Sequence, residues 1–208
     1  KEYPLIESQP ENTLLQSVKR QCLKSIWQFF GVYQTPTIRL THCMIFLLVI
    51  GQIIISNWMS VSKSGVIPTS GLAYYFTWLH IIIGFCLLFL AAILIFVCLS
   101  NRGFRYFYPY LWGDLTQIKN DITSLFNLKL PDSSPKGLAT SVQGLGLGAL
   151  ALVILSGVTW FILWWQNSSL APEARNIHKT LTGLIEAYIV GHGLMGLLHF
   201  ILWRKTPH

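Results

Sequence analysis

Four histidines, His42, His80, His178 and His192, lie inside otherwise apolar stretches of the chain. The last two share one stretch and are 14 residues apart. An imidazole is costly to place in hydrocarbon and marks a site by default. Two pairs of neutral imidazoles facing each other across a helix bundle would supply the axial ligands of two six-coordinate haem irons. The alternative is that each is a polar residue bridging helices, and for a single intramembrane histidine that alternative would carry more weight. Four of them at two matching depths favour ligation.

The elements that carry them are membrane spans. The chain has 208 residues, 52% of them hydrophobic and 11% charged, with a mean hydropathy of +0.51. A soluble domain would carry roughly twice that charge density. Four apolar runs have the length a bilayer core requires, at about 38–59, 74–100, 139–165 and 172–203. The fold class is therefore all-α, a polytopic four-transmembrane-helix bundle in one domain over 36–205, preceded by an N-terminal segment 1–35. No cleavable signal peptide is expected, since polar sequence precedes the first long apolar run near Leu40. Thr35-Pro36 is a start signal for the first span, and Ser169 with Pro172 resembles one for the fourth.

Charge orients the spans. Lys19, Arg20, Lys24 and Arg39 precede the first, and Arg102, Arg105, Lys119, Lys129 and Lys136 fill the loop 101–138. Arg204 and Lys205 follow the fourth, whereas the other two loops hold only Lys63, and Arg175 with Lys179. The positive-inside rule places both termini and the long loop in the cytoplasm. Trp58, Trp78, Trp164 and Trp165 then form an outer aromatic belt, with Trp203 on the inner side. Two further segments read as amphipathic helices on the cytoplasmic membrane surface. In 13–30, Leu14, Leu15, Val18, Cys22, Ile26 and Phe29/Phe30 oppose Lys19, Arg20 and Lys24. In 114–127, Asp114 would cap a helix with Leu115, Ile118, Ile122 and Phe126 on one face.

Topology pairs the histidines. Fourteen residues of helix advance about 21 Å and return to within about 40° of the same face. His178 and His192 thus share a stripe, one near each membrane surface. His80 lies at the outer depth of His178 and His42 at the inner depth of His192. His199 competes for the inner position, seven residues beyond His192 and about 20° off its stripe. It is five residues from Arg204, and His42 is three from Arg39, whereas His192 is twelve from Arg204. Depth thus favours His199, but pairing through it would separate the irons by about 31 Å along the axis. These residues leave the choice open, with His192 modestly ahead.

Other residues fit a planar cofactor. Gly84 is one turn beyond His80, and Gly191, Gly193 and Gly196 surround His192. A missing side chain admits a porphyrin to the backbone, although small residues also serve plain helix packing, as Gly144, Gly146 and Gly148 could in span three. Arg39 lies one turn before His42 and is a candidate partner for a haem propionate. Arg175 and Lys179 could act likewise beside His178. Glu186 is a mid-membrane carboxylate that could relay protons to a quinone or bond Gln52 at similar depth. The four cysteines (Cys22, Cys43, Cys86, Cys98) lack CxxC or CxxCH spacing, which argues against zinc, iron–sulfur or covalent haem sites.

Over 36–205 the chain resembles the bacterial cytochrome b561 family, which includes the b-type subunits of nickel–iron hydrogenases. The resemblance rests on Arg39-Leu-Thr-His42, on His80-Ile-Ile-Ile-Gly84, and on His178-Lys-Thr-Leu followed by His192 and His199. It implies two non-covalent haem b groups, with His42 and His192 as ligands of the inner one and His80 and His178 of the outer one. His199 then becomes a residue near the ligands or propionates. The chain departs from the family's usual pattern at Cys43, where a tryptophan is common. It also has Gln143-Gly144 and Ser156-Gly157 where stand-alone members carry a Gly-His pair and a proline. Span three and the long loop look more like subunits that dock to a periplasmic redox enzyme.

The implied function is electron transfer between a periplasmic oxidoreductase or cytochrome subunit and the quinone pool, in the bacterial inner membrane. The alternative is a stand-alone superoxide:quinone oxidoreductase, for which Lys63, Arg175 and Lys179, offset by Glu173, make a thin positive funnel. A third class, a transporter or scaffold without haem, has a spectroscopic signature of its own. Lipid and quinone are the expected small partners, a homo-oligomer stays open, and nothing points to nucleic acid.

Overall fold

The structure is a computed structural model describing residues 21, 24–32, 34–62, 66–131 and 133–205, and no strand occurs among them. Residues 24–32 form helix α1. Four long helices follow: α2 (Pro36–Ser56), α3 (Gly71–Arg102), α6 (Leu138–Trp165) and α7 (Ala171–Lys205). Each is long and apolar enough to cross a membrane. Between α3 and α6 come the short α4 (Phe104–Phe107), a 3₁₀ turn (Pro109–Trp112) and α5 (Thr116–Phe126). The fold class read from hydropathy is the one observed, with helix ends displaced by a few residues.

Local chemistry sets those ends. Thr35 caps α2, its hydroxyl accepting from the Ile38 N–H at 3.5 Å, and Pro36 occupies the first turn, where no amide is needed. Gly103 ends α3 at φ 79°, a value that favours glycine, and turns the chain into α4. At the start of α6 the carboxylate of Asp121, itself 4% exposed, accepts from the Leu138 N–H at 2.7 Å and from Gln117 Nε2 at 2.8 Å. A buried carboxylate is thereby satisfied and an orphan helix amide is matched.

The expected capping role of Asp114 is not what the fold uses. Helix α5 begins at Thr116, with Leu115 at its N-cap, and Asp114 pairs with Lys136 Nζ at 3.0 Å. Gly113, in the left-handed region at φ 72°, turns the chain just before Asp114. The expected apolar stripe of α5 does point away from the protein, with Ile122 and Phe126 exposed and Asp121 on the buried side. That suits a helix lying on a membrane surface.

The core joins all four spans: Ile45 and Val49 of α2, Leu87, Ala91 and Leu94 of α3, Ala149, Leu150 and Ile154 of α6, and Ile185 of α7. Close backbone seams join α2 to α3, α3 to α6, and α6 to α7. No comparably close seam joins α7 to α2 or α3 among the described residues. A cavity of about 510 Å³ opens there instead, lined from all four spans by residues that include Gln52, His80, Gly157 and His178.

Small residues in α6 admit its neighbours. A Cβ on Gly144 would lie 2.8 Å from the Phe107 carbonyl oxygen, so α4 seats against it, and Tyr108 Oη donates to the Gly144 carbonyl at 2.8 Å. A Cβ on Gly146 would run into the Tyr188 ring of α7. The α1 helix is docked rather than lying free: Phe29 is buried, its ring 5.5 Å from Phe200 and 5.7 Å from Trp203 of α7. The remainder of the expected 13–30 amphipathic segment, and Lys63, lie outside the described residues.

Candidate functional site

Four of the histidines in the long helices meet as two pairs. His80 of α3 and His178 of α7 stand with ring centres 6.3 Å apart and planes inclined by 79°. His42 of α2 and His192 of α7 repeat the arrangement at 6.1 Å and 81°. Two metal–imidazole bonds of about 2 Å, each extended by roughly 1.1 Å from nitrogen to ring centre, would separate the centres by about 6.2 Å. Both pairs therefore have the spacing of imidazoles that share one metal axially. Among the described residues no three His, Cys, Asp or Glu side chains converge. Each pair could offer two nitrogen donors to a cofactor between them.

The His80–His178 pair lines the cavity together with Gly84, Arg175, Lys179 and Glu186. Gln52 Nε2 donates to the His80 carbonyl at 2.8 Å, while Gln52 Oε1 is buried without a partner. Gln52 thus serves the His80 backbone rather than Glu186, the partner raised by sequence. The nearest atom to a Cβ on Gly84 would be that same amide nitrogen, at 3.4 Å. Arg175 Nη1 reaches the Ser62 carbonyl at 3.5 Å.

His178 is held from behind by α6, the span without a histidine. Its Nδ1 lies 3.0 Å from the Val153 carbonyl oxygen and 3.0 Å from Ser156 Oγ, and Ser156 Oγ donates to the same carbonyl at 2.8 Å. A carbonyl can only accept, so the ring proton sits on Nδ1 and Nε2 is left bare. The ring lies close to Gly157, where a Cβ would stand 3.0 Å from Cε1 and 3.3 Å from Nδ1.

The His42–His192 pair is bracketed by aromatic rings. Tyr188 stacks on His192 at 5.1 Å and 11°, and Phe30 meets His42 edge-on at 6.3 Å. Arg39, one turn from His42, donates from Nη1 to the Trp27 carbonyl at 2.7 Å and covers the Trp27 ring at 3.8 Å. Its Nε is buried without a partner. His199 is not brought to His42. Its Nδ1 faces the Met195 carbonyl at 2.9 Å and its Nε2 the Pro131 carbonyl at 3.5 Å, tying α7 to the loop before α6. Gly191 and Gly193 face open space, and so do not serve packing within the chain.

Sequence reasoning did not single out Ser156, Gly157 and Tyr188 as parts of the site. Tyr188 could have been found, because a residue four before His192 shares its helix face. Ser156 and Gly157 lie on another helix, 22 and 21 residues before His178, and no spacing rule links them to it.

No curated protein and no solved structure shows significant similarity to the chain. Residues 33–207, which span the second to the seventh helix and all four histidines, match the family described as prokaryotic cytochrome b561. Membership carries with it a haem b group and an electron-transfer role in a bacterial membrane. The chain belongs to the prokaryotic cytochrome b561 family.

Proposed function

We propose that the chain holds two haem b groups and carries electrons between a periplasmic redox partner and the quinone pool. His42 and His192 are the ligands of the inner haem, and His80 and His178 those of the outer one. The observation that carries this reading is the repetition, along one helix, of two imidazole pairs with near-perpendicular planes and ring centres 6.1 and 6.3 Å apart. Each iron, when bound, takes up and releases one electron.

The chain's residues position, insulate and balance charge. Gly84, beside His80 in the cavity wall, leaves room for a flat ring to approach α3. Lys179 and Arg175 line the same cavity and supply positive charge for propionates. Arg39 has an unpartnered Nε to offer at the inner haem. The apolar residues lining the cavity exclude water and lower the local dielectric, which tunes the potential of any iron held there. His199 braces the cytoplasmic end of α7 and ligates neither iron. The charge distribution supports cytoplasmic termini and insertion in the inner membrane.

The observation favouring the stand-alone reading is the pair Arg175 and Lys179 in the outer cavity lining, which would attract an anionic donor such as superoxide. Tagged protein purified from its native membrane separates the two. A periplasmic redox subunit that co-purifies and reduces both haems supports the proposal. Quinone reduction driven by superoxide in the isolated chain, with no such subunit bound, would replace it.

A further inference from the structure

We propose that Ser156 is a positioning residue for the outer haem, fixing the plane of His178 and strengthening it as an electron donor to the iron. This rests on the reading of His178 as an axial ligand.

The two imidazoles are held differently. His80 Nδ1 makes no hydrogen bond of good geometry and has only the Gln52 backbone near it. His178 Nδ1 is met by two oxygens at 3.0 Å, the Val153 carbonyl and Ser156 Oγ. Because Ser156 Oγ donates its own proton to Val153, at 2.8 Å, its lone pairs face the ring. The Nδ1 proton is therefore shared between two acceptors on one turn of α6. An imidazole that donates from Nδ1 to strong acceptors gains electron density at Nε2 and becomes a more basic ligand. A more basic ligand favours ferric over ferrous iron and so lowers the potential.

Gly157 completes the device. It leaves room for the ring where a side chain would crowd Cε1 and Nδ1, while the two oxygens hold Nδ1. Span three thus contributes no ligand and still sets the donor strength of one.

The test is a redox titration of the purified, haem-loaded protein, following both haems in wild type, Ser156→Ala and Ser156→Thr. Ser156→Ala should keep both haems and raise one midpoint only. The oxidised-to-reduced ratio of that haem at fixed potential should fall about three- to tenfold, which is about 30–60 mV at 59 mV per tenfold for one electron. Ser156→Thr keeps the hydroxyl and should stay near wild type. Two unchanged midpoints in Ser156→Ala would overturn the inference and leave the haem assignment standing. Should Ser156→Ala fail to load the outer haem, Ser156→Thr and Ser156→Cys decide: a higher outer midpoint in the cysteine variant supports the inference and equal midpoints overturn it. A wild-type protein without haem would remove the underlying reading itself.

Discussion

The imidazoles of His42 and His192 face each other across the α2–α7 gap with their planes inclined by 81°, and the His80–His178 pair repeats the relationship at 79°. Near-perpendicular axial rings act on the two iron π orbitals about equally and leave them close in energy. Both ferric haems should therefore give strongly anisotropic low-spin signals in frozen-solution electron paramagnetic resonance. An ordinary rhombic signal from both, as parallel rings produce, would contradict the ligand geometry.

Gly157 and Gly146, like Gly144, are places where α6 has little room for a side chain. Gly157→Ala puts a methyl 3.0 Å from His178 Cε1, and Gly146→Ala drives one into the Tyr188 ring that stacks on His192. Each should destabilise the protein by about 1–3 kcal/mol, as overpacking does. Their spectra should differ: Gly157→Ala should perturb the outer haem and Gly146→Ala the inner. Thermal unfolding followed by haem absorbance checks both, and equal perturbation of the two haems by either variant would contradict the assignment.

Arg39 links the N-terminal helix to the bundle through the Trp27 carbonyl and ring. Arg39→Ala forfeits a hydrogen bond and a cation–π contact worth about 0.5–1 kcal/mol. Residues 24–32 should become more open to limited proteolysis, and Trp27 fluorescence should shift toward that of solvated tryptophan. Unchanged proteolysis would show that Phe29, packed on Phe200 and Trp203, holds the helix unaided.

Tyr108, in the loop between α3 and α6, donates its hydroxyl proton to the Gly144 carbonyl. Burial first, and Tyr110 second, raise its pKa above the ordinary value of 10.0. The folded state thus holds the proton more tightly than the unfolded state. Its contribution to stability is complete below the unfolded pKa and is lost as pH rises through the folded one. Stability should fall above about pH 10, and Tyr108→Phe should flatten that fall. An alkaline profile identical in the two proteins would contradict this role.

The spans and the His80–His178 pairing were legible in the sequence because hydropathy, charge asymmetry and a 3.6-residue period act locally. The choice of His192 over His199 was not legible from depth. Counting from Arg204 assumes that the helix ends where its charges lie, whereas α7 runs 35 residues and its last turns pack on α1 and the Pro131 loop, away from His42. The capping role given to Asp114 failed for a similar reason. Lys136, 22 residues away, is a partner that only the folded loop supplies. The cradle of His178 was hidden because a serine and a glycine in an apolar helix read equally well as packing residues.

The central claim is tested most directly by haem-to-protein ratio and reduced-minus-oxidised spectra of wild type and of His42→Ala, His80→Ala, His178→Ala, His192→Ala and His199→Ala. The account predicts about two haems in wild type, about one in each of the first four variants, and no loss in His199→Ala. His42→Ala and His192→Ala should lose the same spectral component, and His80→Ala and His178→Ala the other. Loss of the inner haem in His199→Ala but not in His192→Ala would contradict it, as would wild-type protein with a single haem.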